Sequence, residues 1–372
     1  MSLELTKNTF YLFVIVLFIS CQSDDEATTT NDEDEATELY FPNDDASWAA
    51  LSAEDLNWNA QKMEDLLVFL EEKNSRGFIV LKDGKIAMEE YWGDNLLGNS
   101  AFDEETLWYW ASAGKSLTSV MLGLAEQQGL LSLEEPISNY IGNQWSSLNE
   151  EQENAILLKH HLSFTTGIDY NVEELNCTDP SCLTYLQEPN TNWYYHNATY
   201  TILTEVIESV SESSYTNFTN ENLGASIGLN GFWSMTDDNA NVYFSTTKSA
   251  ARFGLFVLAE GRWKENQLLS SNYYEKMIQT SQALNPSYGY LWWLNGQSSF
   301  RVPNQTASFQ GSLLPDAPDD LILALGKNGQ FIGIVPSQNL VIVRFGDNPG
   351  GDPLTIEFIR EVFSQLKSMM NE

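Results

Sequence analysis

Ser112 stands three residues before Lys115 in W-A-S-A-G-K-S-L-T-S, residues 110–119. A serine hydroxyl is a weak nucleophile at neutral pH and needs a neighbour that takes its proton. Positions three apart share a helix face, so Lys115 falls within reach of Ser112. The run continues L-T-S-V-M-L-G-L-A, apolar or small on nearly every face, which marks a buried helix. A lysine at the mouth of such a helix must be neutral or paired, and a neutral amine is a base. Ser-x-x-Lys recurs at Ser245 to Lys248 and at Ser364 to Lys367. Ser245 opens the helical stretch S-T-T-K-S-A-A-R-F-G, where N-capping accounts for it, and Ser364 lies in the last amphipathic helix.

A lysine base commonly shares its proton traffic with a second titratable group. N-W-Y-Y-H-N-A-T-Y offers Tyr195, His196 and Asn197, a Tyr-x-Asn just before a helix starting at Thr199. Other matches are weaker. Tyr215, Thr216 and Asn217 repeat the pattern in a polar stretch, and Lys82, Asp83 and Gly84 form a hairpin turn. G-A-S-I-G, Gly224 to Gly228, has the spelling of the G-x-S-x-G nucleophile elbow. That elbow requires a strand before it and a helix after it, whereas N-F-T-N-E-N precedes this one.

The motifs together resemble the serine β-lactamase and penicillin-binding-protein family, in its class C-related branch of esterases, peptidases and nylon-oligomer-type amide hydrolases. That family uses Ser-x-x-Lys, then Tyr-x-Asn, then Lys-x-Gly or His-x-Gly on a strand near the C-terminus. The third element is G-K-N-G-Q, with Lys327, Asn328 and Gly329 leading into a strand from Gln330 to Val335. K-H-H-L-S-F-T-T-G-I from Lys159, Q-G-L-L-S-L-E-E-P-I from Gln128 and S-Y-G-Y-L-W-W from Ser287 are also similar to the family, so the resemblance runs from Leu56 to the C-terminus.

The resemblance implies a serine hydrolase that forms an acyl-enzyme on an ester or amide. In it Ser112 attacks the carbonyl carbon, and Lys115 and Tyr195 carry the proton. Lys327 supplies a positive charge that favours neutral Lys115 and lowers the pKa of Tyr195. Asn197 holds Lys115 and, with Lys327 and Gly329, contacts the substrate. The oxyanion hole comes from the backbone N–H groups of Ser112 and Gln330. Water then hydrolyses the acyl-enzyme, and neither metal nor cofactor is needed. The implied substrate is a small molecule or peptide-like, and Lys327 suits one bearing a carboxylate. A non-turnover sensor or binding module on the same scaffold is the alternative, but such a module has no need to keep Ser112, Lys115, Tyr195 and Lys327 together.

The elements carrying these residues imply an α+β fold. F-I-V-L-K-D-G-K-I-A-M-E-E-Y-W, Phe78 to Trp92, reads as a hairpin about Asp83-Gly84, and Phe331 to Gly346 as a second about Pro336 to Asn339. Between them the periodicity predicts helices over Ser112–Gln128, Asn149–Leu162, Thr199–Val210 and Thr247–Glu260, with a last helix over Leu354–Met370. Strands from both ends enclosing a helical insertion make an antiparallel sheet of the β-lactamase and transpeptidase type. Tyr109, Trp110, Trp193, Tyr194, Trp292 and Trp293 crowd the motifs, as a substrate wall or as core. His160 and His161 read as structural.

The 372 residues carry 18 Lys plus Arg against 52 Asp plus Glu, a formal charge of -34, which leaves no basic footprint for nucleic acid. The apolar run Tyr11 to Ser20 is too short to span a bilayer comfortably and suits a signal-peptide core. Ser20 before Cys21 resembles the lipobox of bacterial lipoproteins, with Cys21 the lipidated residue. The expected organisation is a signal peptide over residues 1–20, an acidic tether over 21–45 and a catalytic domain over 46–372. The expected location is the outer membrane, held by the lipid. In an oxidising compartment Cys177 and Cys182, flanking a turn in C-T-D-P-S-C, read as a disulfide rather than metal ligands.

Overall fold

The computed structural model describes residues 38–43, 47–351 and 355–370. The signal-peptide and Cys21 readings, and most of the tether, lie outside the described residues. Residues from Glu38 onward belong to one compact unit. The Tyr40 N–H donates to the Asp83 carbonyl at 3.0 Å, and the Phe41 ring meets Trp263 edge-on at 5.1 Å between centroids. Two aromatic side chains are enough to bind the end of an otherwise acidic stretch to the body.

Six antiparallel strands make the main sheet: β1 (Ser75–Lys82), β2 (Lys85–Tyr91), β3 (Trp293–Leu294), β4 (Ile322–Gly326), β5 (Gln330–Val335) and β6 (Leu340–Gly346), in the order β2-β1-β6-β5-β4-β3. The chain thus supplies the sheet from both ends, as the two apolar hairpins predict. The centre of the sheet is buried on both faces, so β5 and β6 read as nearly unbroken apolar runs. One face is covered by α5 (Thr247–Leu258), which packs on β1, β5 and β6; α1 (Ala60–Glu72) and α6 (Ile356–Met369) pack against each other. Ahead of α5 in the chain come α2 (Gly114–Gln127), α3 (Asn197–Thr201) and α4 (Leu203–Ser211). Every residue of α2 from Gly114 to Ala125 is buried, as expected for a helix apolar all round.

Two local differences have physical causes, and a third stretch is as expected. The helix expected over Asn149–Leu162 is two, Glu150–Ala155 and Leu158–Leu162, because Ile156 takes an extended conformation between them. A second sheet, formed by Trp108–Tyr109, Asn241–Ser245 and Gly231–Met235, was not legible, since its strands are short and their residues alternate poorly. The G-A-S-I-G stretch is a π-helical turn over Asn220–Gly224 followed by the short helix Ala225–Ile227, with Ser226 exposed. No strand leads into it, so it is not a nucleophile elbow.

Candidate active site

Ser112 lies in the 3-10 turn Ala111–Ala113 that enters α2. Ala111 immediately before it has φ 49, a left-handed conformation that costs a non-glycine residue and must be imposed by its surroundings. The constraint is visible on both sides: the Trp110 N–H donates to the Tyr243 carbonyl at 2.8 Å, and the Trp110 indole N–H donates to Ser245 Oγ at 2.8 Å. Ser245 is therefore an acceptor that anchors this turn, while Lys248 pairs with Glu89 and Glu104, and Ser364 and Lys367 are exposed. Of the three Ser-x-x-Lys pairs, only in the first are the serine and lysine hydrogen-bonded to each other, and both of them border one cavity.

Lys115 Nζ donates to Ser112 Oγ at 3.1 Å. The amine is 5% exposed and sits over the rings of Tyr200 and Tyr195, 4.4 and 5.1 Å from their centroids. Burial pulls its pKa down from 10.5 to about 7, so a large share of Lys115 is neutral near neutral pH. Tyr195, buried and stacked near Trp293 at 6.1 Å, borders the same cavity as Ser112. Burial drives its phenol well above the ordinary value and the Ser112 contact opposes this only in part. Here the structure corrects the expectation built on Lys327. Desolvation, not that lysine, lowers Lys115, and Tyr195 is raised rather than lowered. The pair divides into a base ready to accept a proton and an acid that keeps one.

Asn197 opens α3 beside them, but its Oδ1 is buried without a hydrogen-bond partner and makes no bond to Lys115. Its placement at the cavity wall with Ser112, Tyr195 and Lys327 is as expected in position, not in the expected contact. Lys327 itself is exposed, at the start of the 3-10 turn Lys327–Gly329 that links β4 to β5.

Two other expected residues are not brought to the site. Gln330 is fully buried on β5, one strand inward, opposite Gly326, and its side-chain amide is tied to the backbone of Gly346. Gly329, at φ 73, lies against Arg344 and Phe358, beneath the turn. The strand edge nearest Ser112 belongs to β4, where a Cβ on Gly326 would come within 2.4 Å of the Trp110 carbonyl oxygen. Backbone groups alternate sides along a strand. The Asn295 N–H donates to the Leu321 carbonyl on the β3 side, and Leu323 pairs there with Trp293. Leu325 therefore presents its N–H on that same edge, beyond the end of β3 and bordering the cavity with Ser112. The signal for it was the apolar run L-I-L-A-L-G before the motif, a strand in its own right.

Arg344 is the other residue the motifs did not reveal, although a charge inside L-V-I-V-R-F-G is itself a signal. Its guanidinium is fully buried and donates to the carbonyls of Asn328 (2.6 Å), Lys73 (2.9 Å) and Asp347 (3.0 Å) and to Ser75 Oγ (3.0 Å). From above, the Asn328 amide donates to the Tyr109 hydroxyl at 2.9 Å. The Lys327 turn is thus clamped between two side chains. We expect Arg344→Met to lower stability in urea unfolding by about 3 kcal/mol, because several buried acceptors lose their donor together; a change below about 1 kcal/mol would remove Arg344 as the clamp.

Of the six aromatic residues that crowd the motifs, Trp110, Trp193 and Trp292 are fully buried, while Trp293 and Tyr109 border cavities at Ser112. Tyr215 of the second Tyr-x-Asn donates to Thr118 Oγ1 and stacks on Trp233, a packing role. His161 bonds the Thr199 carbonyl and His160 accepts from the Leu157 N–H, both with burial-lowered pKa values of about 4. A disulfide joins Cys177 to Cys182, next to Asn176 on the wall of one cavity.

The Beta-lactamase family profile matches residues 70–354. An uncharacterized protein of Alkalihalophilus pseudofirmus is 27% identical over 314 residues, 76% of this chain and 86% of that protein. A putative 6-aminohexanoate-dimer hydrolase from Bacillus anthracis superposes with a TM-score of 0.65 at 17% identity, covering 90% of this chain and 89% of that one. A putative beta-lactamase from Bacteroides dorei gives 0.66 at 16% identity, covering 85% of this chain and 100% of that one. These likenesses carry the fold, and the profile spans most of the chain and all three motifs: the protein belongs to the Beta-lactamase family.

Proposed function

We propose that the protein is a serine hydrolase that opens an ester or amide through an acyl-enzyme on Ser112. The observation that carries the reading is a buried lysine amine, lowered to about 7, hydrogen-bonded to the hydroxyl it would deprotonate. In acylation Lys115 takes the Ser112 proton as Oγ bonds to the carbonyl carbon. The developing oxyanion is held by the Ser112 and Leu325 N–H groups, the second replacing the expected Gln330. Tyr195 gives its proton to the leaving group and regains one from Lys115. Water, activated through the same pair, then releases the acid by the reverse route. Lys327, exposed at the cavity rim, attracts a carboxylate on the substrate, and Asn197 contacts the substrate from the cavity wall.

Tyr195→Phe tests the assignment. We expect kcat on a chromogenic ester to fall by a factor on the order of 10²–10⁴, with unchanged folding by circular dichroism. An unchanged kcat would remove Tyr195 from the proton path. Export as a lipoprotein anchored through Cys21 belongs to the same proposal. Cys21→Ser is expected to move the protein from the membrane to the soluble fraction, and its retention there would count against the anchor.

A further inference from the structure

Ser112 lies where two cavities meet, one of about 330 Å³ and one of about 490 Å³. Ser112, Asn197 and Lys327 border both, but the proton carriers are divided: Tyr195 borders only the smaller, Lys115 only the larger. Outside the shared residues and Tyr195, the smaller cavity is walled by Trp293, Val302, Pro303, Leu313, Leu325 and Ile356, with Asn304 its one further polar residue. The larger has a mixed wall, with Asn176, Thr236, Asp238, Asn241 and Asn328 set among Leu96, Tyr109, Tyr200, Val242 and Phe244. The two sides of the scissile bond therefore meet different surroundings.

Which side takes which half of the substrate follows from the proton. The group that leaves must receive it as the bond breaks, so the leaving atom lies beside the donor. Tyr195 is that donor, since burial keeps its phenol protonated, while Lys115 sits beneath Ser112 between two tyrosine rings. We propose that the smaller cavity is a leaving-group site for an apolar alkyl or aryl alcohol, so that the substrates of this enzyme are esters whose alcohol half, not acyl half, is the hydrophobic one. This rests on the hydrolase reading above. In the step, Ser112 Oγ bonds to the acyl carbon, the bond from that carbon to the alcohol oxygen breaks, and the Tyr195 proton goes to that oxygen. The water of the second step enters the space the alcohol vacates, beside the same phenol.

The test compares hexyl N-acetyl-β-alaninate with its mirror ester, 2-acetamidoethyl heptanoate, in which the same apolar and polar halves are exchanged across the bond. We expect kcat/KM at least tenfold higher for the first. In the series from methyl to hexyl N-acetylglycinate it should rise roughly fourfold per methylene, the transfer gain of a buried CH₂. Leu313→Trp or Val302→Phe, which fill the cavity by different routes, should flatten that series. Equal rates for the two mirror esters, preference for the second, or a flat series in the unaltered protein would overturn the assignment. A fluorophosphonate adduct on Ser112 is recorded alongside. With the adduct present, a flat series or no turnover of either ester defeats the leaving-group site alone; with the adduct absent, the hydrolase reading falls as well.

Discussion

Ser112→Ala is expected to lower kcat on any hydrolysed ester by a factor on the order of 10⁴ or more, while the protein stays folded. The hydroxyl is the atom on which the other parts converge: Lys115 donates to it at 3.1 Å, and Tyr195 lines the same cavity. Removing it leaves the cavity, the strand edge and the binding residues in place, so substrate affinity should change far less than turnover. Alanine fits the 3-10 turn, which already has alanine at 111 and 113. The loss therefore appears in kcat and not in the melting temperature. Activity retained within tenfold would place the nucleophile elsewhere.

Lys115→Met should be nearly as damaging to turnover and should stabilise the fold at neutral pH. The amine is buried without a carboxylate, and its pKa falls from 10.5 to about 7 on folding. Between these values the unfolded chain binds more protons than the folded one, so stability rises with pH from about 7 to 10.5. At and below pH 7 the cost of burying the amine is fully present. Methionine removes it, and a gain on the order of 2 kcal/mol is expected at pH 7, shrinking toward pH 10.5. Melting curves of both proteins at pH 7 and pH 10 read this difference directly. Activity of the unaltered enzyme should climb through about pH 7 as Lys115 loses its proton. A pH-independent rate, or a variant destabilised equally at both pH values, would contradict a neutral base. This is the expected exchange between stability and function at a catalytic site.

How far these residues could be read in advance depended on whether their signal was local. Ser112 and Lys115 were legible because their spacing and the apolar helix after them lie within one segment. The two hairpins were legible because alternation and turn residues are local too. The proposed second oxyanion donor was not. A backbone N–H has no side-chain signature, and choosing between Leu325 and Gln330 requires knowing which strand is at the edge facing Ser112. The role of Lys327 was misjudged for a related reason. Charge suggested that it tunes Lys115 and Tyr195, but the depth of burial, which composition does not reveal, sets both shifts. Asn197 was found by its motif while its contact was not, since a partner for Oδ1 depends on side-chain placement across α2 and α3. Arg344 acts through Asn328 from a strand that pairs with both β1 and β5, a relation that exists only in the assembled sheet.

The most direct test is intact-mass spectrometry of the folded protein after exposure to a fluorophosphonate, with Ser112→Ala as the control. An activated serine is predicted to give one adduct per chain, mapped to Ser112 and absent from the variant, with a labelling rate that rises through about pH 7 as Lys115 deprotonates. Absence of an adduct in folded protein, or an adduct that persists in Ser112→Ala, would contradict the account.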